Sequence, residues 1–351
     1  MTATALEPPS TQHRHKGPWV IPALAVALAL AIVLSCLIGA LPIPLTEFVP
    51  ALFGKGASAS SQLQHDVLWQ IRLPRVALAI LIGGALATAG VIMQGVFANP
   101  LAEPGLVGVS SGAAVGAVAA IVLGATAIGF WVLPLSAFVG GLLVTAAVYF
   151  LARFQGRSEV LTLLLTGIAV NAMAGAIIGL LMSVSDNAQL RSITFWNLGS
   201  LSAATWTAVL TVLPVATLGA VAIPLLARPL DLLSLGERNA QFLGLNVTRN
   251  RQLAIIVTAL LTAAAVAVAG IIAFVGLVVP HAMRLVVGPS HMRLLISSAL
   301  AGSLLIVVAD LISRTVAAPR EIPLGVITGL IGAPAFFILL RREHRRRGAW
   351  A

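Results

Sequence analysis

Apolar residues gather in ten stretches along the chain, separated by short joints that carry charge, glycine or proline. A helix of about 20 apolar residues crosses a bilayer core of roughly 30 Å, so this pattern predicts an all-α polytopic membrane protein of about ten transmembrane helices. The predicted spans are 19–40, 73–96, 105–124, 129–152, 159–184, 205–227, 251–270, 277–287, 294–315 and 322–340. The eighth is too short to cross alone. Gly270 and Gly276 precede it and Pro280 lies within it, the pattern of a broken helix packed inside protein. These spans divide the chain into a cytoplasmic N-terminal tail at 1–18, a transmembrane domain at 19–340 and a basic C-terminal tail at 341–351, with one longer joint at about 228–250.

Composition agrees with that pattern. The chain is 59% hydrophobic and 9% charged, which excludes a water-soluble domain. Its one cysteine, Cys36, sits in the first apolar stretch, so no disulfide or cysteine metal site forms within one chain. The net charge of +10 sits at span ends and in a C-terminal cluster, without the interleaved aromatics of a nucleic-acid surface. No nucleic-acid partner is expected. The first stretch is longer than a signal peptide's apolar core of roughly 7–15 residues and lacks a small-x-small cleavage site, so it is read as retained.

With both termini in the cytoplasm, six basic residues fall outside: Lys55, Arg72, Arg75, Arg191, Arg314 and Arg320. The rest satisfy the positive-inside rule. Four of the six crowd the outer ends of spans two, nine and ten. Either they snorkel to the headgroups or they meet a partner.

Ala89 to Pro100 matches Ala269 to Pro280, and Gly108 then matches Gly288 at the same offset. An odd number of spans separates the copies, as an inverted repeat would require. Small residues from Gly83 to Gly90 and from Ser110 to Gly116 permit close helix approach, and tight packing explains them before substrate contact does.

Catalytic chemistry is missing from the pattern. Gly54-Lys55-Gly56 lacks both the hydroxyl and the upstream glycine of a phosphate loop, and no zinc-protease motif or nucleophile elbow occurs. Ion-coupled carriers hold acids or histidines at mid-membrane, whereas here Asp310 stands out, one turn from Arg314 with which an i, i+4 pair explains it. The expectation is a transport subunit with no catalytic residues, whose energy source lies in another chain; an ion-coupled carrier and a non-transporting assembly subunit are the alternatives. The joint between spans six and seven, punctuated by Gly236 and Gly244, alternates apolar and charged residues as a docking surface would.

Four separated motifs carry a family resemblance: Trp69-Gln-Ile-Arg72-Leu-Pro-Arg75, the stretch from Gln94 through Asn99-Pro-Leu-Ala-Glu-Pro-Gly105 to Gly112, Phe274-Val-Gly-Leu-Val-Val-Pro-His281-Ala-Met-Arg284, and Glu321-Ile-Pro-Leu-Gly325. They closely resemble the FecCD-type permeases of bacterial ABC importers for iron-siderophores, haem and cobalamin. The resemblance implies a homodimer in the inner membrane, two cytoplasmic ATPase subunits that carry the ATP and magnesium, and a periplasmic substrate-binding protein. It also implies residue roles. Arg72, Arg75 and Arg314, with Arg320 added, would dock the binding protein. Leu235, Gly236, Glu237, Arg238, Ala240 and Gly244 would couple to the ATPase. Met93, Gln94, Asn171 and Met173 would line the path, Asn171 having packing as its alternative, and Ser158, Val160 and Leu161 would form the inner gate. No cofactor or metal is expected on this chain. Phe195-Trp196 and Gly288-Pro-Ser-His291 look most like the haem branch, although Asn197 replaces the threonine expected there, so haem is the expected substrate with siderophore and cobalamin as alternatives.

Overall fold

The computed structural model describes residues 19–54, 59–154, 157–158 and 160–348. The predicted N-terminal tail, Lys55 and residues 349–351 lie outside the described residues. Helix α1 spans Val20–Leu37, and two short helices, α2 (Leu45–Leu52) and α3 (Ala59–Asp66), lead through a π-helical turn at Val67–Arg72 into α4 (Leu73–Val96). There follow α5 (Val109–Val122), α6 (Val132–Leu151), α7 (Val160–Ser183), α8 (Asn187–Leu198), α9 (Trp206–Leu233), α10 (Glu237–Phe242), α11 (Val247–Ala269), α12 (Val275–Val287), α13 (His291–Thr315) and α14 (Leu324–Gly348). Between α6 and α7, β1 (Arg153–Phe154) and β2 (Arg157–Ser158) form a two-residue antiparallel hairpin, with Arg153 opposite Ser158.

Among the described residues, seven helical segments are long and apolar enough to cross a membrane, and α5, α12 and Leu324–Leu339 of α14 are shorter apolar helices. These ten coincide with the ten predicted stretches. α12 has 13 residues, about 20 Å of rise, and so falls short of the bilayer core as expected.

The third stretch differs from its prediction. Only 14 residues, Val109–Val122, are α-helical. Before them Pro104–Val107 forms a 3₁₀ turn ending at Gly108, whose φ of +81° favours glycine. Hydropathy cannot separate this apolar loop from a helix, and Ala102, Pro104 and Val107 are buried within protein. The apolar part of α14 ends at Leu339, and the helix itself runs on through the basic residues to Gly348.

α4 is the central element. Of its span window 78% is buried, against 22% for α1 and 22% for α7. Its glycines explain why. A Cβ on Gly83 would stand 2.3 Å from the Gly302 carbonyl oxygen of α13, and one on Gly90 would stand 1.8 Å from the Gly276 oxygen of α12. Gly112 and Gly140 bring α5 and α6 together in the same way. Small residues thus set helix separation here. The matched stretches 89–100 and 269–280 do not share local structure: 89–96 is helical, whereas 270–274 is not and its helix starts at Val275. The two are joined by contact, Gly90 on Gly276.

Candidate functional site

Two ends of the molecule and one long helix hold the residues singled out above. At the first end, the last carbonyls of α1 have no intrahelical donors and need partners. Arg72 donates from Nη1 to the carbonyls of Cys36 and Leu37 and from Nη2 to that of Leu41. Arg314, from α13, donates from Nη1 to the Ile38 carbonyl at 2.9 Å and from Nη2 to the carbonyl and, at 2.7 Å, the hydroxyl of Ser35. Two guanidinium groups therefore cap one helix C-terminus, where the helix dipole favours cations.

Arg75 lies one turn further in. Its Nε donates to Asp310 Oδ1 and Oδ2 at 2.8 and 3.1 Å, and its Nη1 and Nη2 donate to Glu321 at 2.8 and 2.9 Å. Asp310 also pairs with Arg314 Nε at 3.5 Å, the expected i, i+4 contact. Hydrogen bonds from Arg75 hold the Glu321 carboxyl below the usual carboxylate range.

The four arginines expected to dock a binding protein differ in exposure. Arg72 and Arg75 are 4% and 7% exposed, with donors engaged by carbonyls at the end of α1 and by carboxylates. Arg314 is turned inward with them. Arg320, in the loop before α14, is exposed and remains available. A position at a span end does not reveal which way a guanidinium turns; Glu321 was present in the quoted motif but its pairing with Arg75 carried no sequence signal.

The second end is the joint after α9. Gly236 has φ +95° and Gly244 has φ +84°, both with open space around them, and they bracket α10. Arg251, buried at the start of α11, donates to Glu237 on α10. Leu235, Arg238 and Glu237 are exposed, as a docking surface requires. Ala240 is not: it is fully buried in the core, where it seats the helix rather than touching a partner. Phe242 was passed over in the sequence, although a lone aromatic in a polar joint was the available signal. It is 89% exposed, beside exposed Leu243. Below this joint, Asp231 Oδ1 accepts from the backbone N–H of His291 at 2.9 Å and lies 2.7 Å from its Nδ1, tying α9 to α13.

The expected path residues separate into two groups. Met93 and Gln94 are buried on α4, Gln94 donating to the Leu277 carbonyl of α12 at 3.2 Å. Asn171 is half-buried and serves packing: it donates to the Gly105 carbonyl at 3.2 Å and accepts from Ser111 at 2.5 Å, fastening the 3₁₀ turn and α5 to α7. Leu161 and Met173 stand on the open surface of α7. Ser158 is in β2 and Val160 begins α7; their side chains lie outside the described set. Along α7, Leu163, Gly167, Val170 and Ala174 form one buried stripe, and an exposed, mostly apolar face includes Leu161, Leu165, Ile168 and Met173, with Gly175 and Gly179 in open space.

The described residues thus form a helical membrane body with a capped charge cluster at one end, an exposed apolar joint at another and a long apolar face on α7. The chain belongs to the FecCD transport family, whose pattern matches residues 27–342. It is 42% identical over 294 residues to the hemin transport system permease protein HmuU of Yersinia pestis, covering 81% of this chain and 86% of that protein. It is 43% identical over 309 residues to the cobalamin import system permease protein BtuC of Halobacterium salinarum, covering 88% and 82%. Among solved structures it matches an inward-facing metal-chelate type ABC transporter with a TM-score of 0.82 and 33% identity, covering 93% of this chain and 99% of that one. The chain is thus an ABC importer permease, a transport component without its own ATPase site.

Proposed function

We propose that this permease moves haem from periplasm to cytoplasm across the bacterial inner membrane, as a homodimer with both termini in the cytoplasm. The observation that carries this reading is the open face of α7. Apolar residues including Leu161, Leu165, Ile168, Met173 and Leu180 are more than half exposed, and α7 bears no charged residue from Val160 to Ser183. In a lone subunit that face has nothing to pack on within the chain; facing a second copy across an axis, it encloses an apolar path suited to a large flat ligand. Adaptable Met173 and the small residues Ala172, Gly175, Ala176 and Gly179 suit a ligand carried without fixed iron ligands. Phe195, exposed on α8, and the resemblance of its surroundings to the haem branch support haem over cobalamin or a ferric siderophore.

Leu235, Glu237, Arg238 and Phe242 form the contact with each of two ATPase subunits, which bind ATP and magnesium. The opposite end receives a periplasmic binding protein, with Arg320 as its available cation. Reconstitution in proteoliposomes with a partner ATPase and a periplasmic binding protein tests the reading. ATP-dependent haem uptake is expected. Uptake of cobalamin or a ferric siderophore with haem left outside overturns the substrate, and uptake on an ion gradient without the ATPase overturns the energy source.

A further inference from the structure

Between α1 and α4 the chain does not turn back at once. It builds α2 and α3, two helices of 8 residues each. At 100° per residue, α2 presents three successive faces. Phe48, Ala51 and Leu52 pack inward on Cys36, Ile43, Leu68 and Val76. Thr46 and Glu47 are exposed on a polar side. Between these, Leu45 and Val49 are 70% and 59% exposed, and Phe53, which follows the helix in the same register, is 66% exposed. Leu63 of α3 and Ile71 of the π-helical turn add further exposed apolar surface.

The height of this patch is fixed by two indoles. Trp69 Nε1 donates to the Leu52 carbonyl at the end of α2 (2.9 Å), and Trp206 Nε1 donates to the Trp69 carbonyl (2.8 Å). Trp206 is the first residue of α9, a span whose Leu210 and Leu213 are exposed where hydrocarbon would lie. The rings of Trp69 and Trp206 lie 6.2 Å apart, with their polar edges satisfied by protein. Tryptophans of this kind mark the headgroup level of a bilayer. α2 is therefore tied to the level at which a span begins, and its exposed apolar side carries no charge that would steer a soluble partner.

We infer that α2 and α3 form an interfacial element embedded in the bilayer boundary at the arginine end, with Leu45, Val49, Phe53 and Leu63 among the phospholipid acyl chains. The inference does not depend on which substrate is carried. An interfacial helix seats its apolar side about 5–10 Å into the headgroup–acyl boundary.

The full-length protein in phospholipid nanodiscs, with its one cysteine removed as Cys36→Ala, permits site-directed spin labelling. A nitroxide at Val49→Cys should be relaxed several-fold more by oxygen than by a water-soluble nickel chelate, and one at Glu47→Cys should show the reverse. Leu63→Cys gives a second apolar site should the first variant fail to insert. Equal access of the nickel chelate to all labelled positions overturns the inference. So does protection at 49 and 63 that arises only when a soluble binding protein is added, which would make the patch a protein contact.

Discussion

The two ends of this permease invert each other. At the arginine end, charged residues that look placed for a partner turn inward: Arg75 holds Asp310 and Glu321, and Arg72 and Arg314 hold the end of α1. At the α10 end, apolar residues turn outward, with Phe242 at 89% exposure. In both places the deciding quantity is whether the chain itself supplies a partner. Buried carbonyls and carboxylates are costly to leave unmet, so they capture the arginines. Phe242 is left almost wholly uncovered by the chain, so it waits for another surface.

The largest test is aimed at the inward end. Asp310→Ala leaves Arg75 with one of its two carboxylates and a buried charge only partly compensated, and should lower stability by about 3–5 kcal/mol; thermal unfolding in detergent reads this, and an unchanged midpoint would remove the idea of a closed charge cluster. At the outward end, Phe242→Ala should weaken ATPase binding by about 2 kcal/mol, roughly 30-fold, while leaving the unfolding midpoint in place. A variant that melts early instead would make Phe242 structural and erase the contrast. Gly244→Val forces a side chain into φ +84°, a strain of about 1–2 kcal/mol. Its expected signature is ATP hydrolysis without transport, measured side by side in proteoliposomes.

The smallest effect concerns pH. The folded-state pKa of Glu321 is depressed by Arg75, so its contribution is present above the unfolded-state value and is lost as pH falls through the folded one. Glu321 is 38% exposed, so solvent screening keeps this contribution small. Glu321→Gln should flatten the acid side of the stability profile slightly; identical acid profiles for the two proteins would show that the pair contributes nothing.

The spans were legible because a bilayer demands about 20 apolar residues wherever a helix crosses, and that demand is written directly in composition. The turn from Gly105 to Gly108 was not, since burial inside protein calls for the same apolar residues as a span. α2 and α3 escaped because eight residues carry too little periodicity to register. At the arginine end the sequence located the residues but not the partners of their guanidinium groups, which for Arg72 are carbonyls over 30 positions away in the chain. The burial of Gln94 and Met93 was hidden for a related reason: glycine contacts at Gly83 and Gly90 bring α13 and α12 onto α4, and pairing between distant glycines is invisible along a single sequence. The α10 joint was read more fully, because its turn glycines and charged residues act locally.

The double cap on α1 bears on how the protein is made. α1 is synthesised first, yet one of the two arginines that satisfy its end belongs to α13, near the close of the chain. Until that late helix enters the bilayer, the first helix holds only the Arg72 half of its cap, so final seating of the earliest span must follow insertion of nearly the last. Biogenesis of this permease closes like a clasp, joining its beginning to its end.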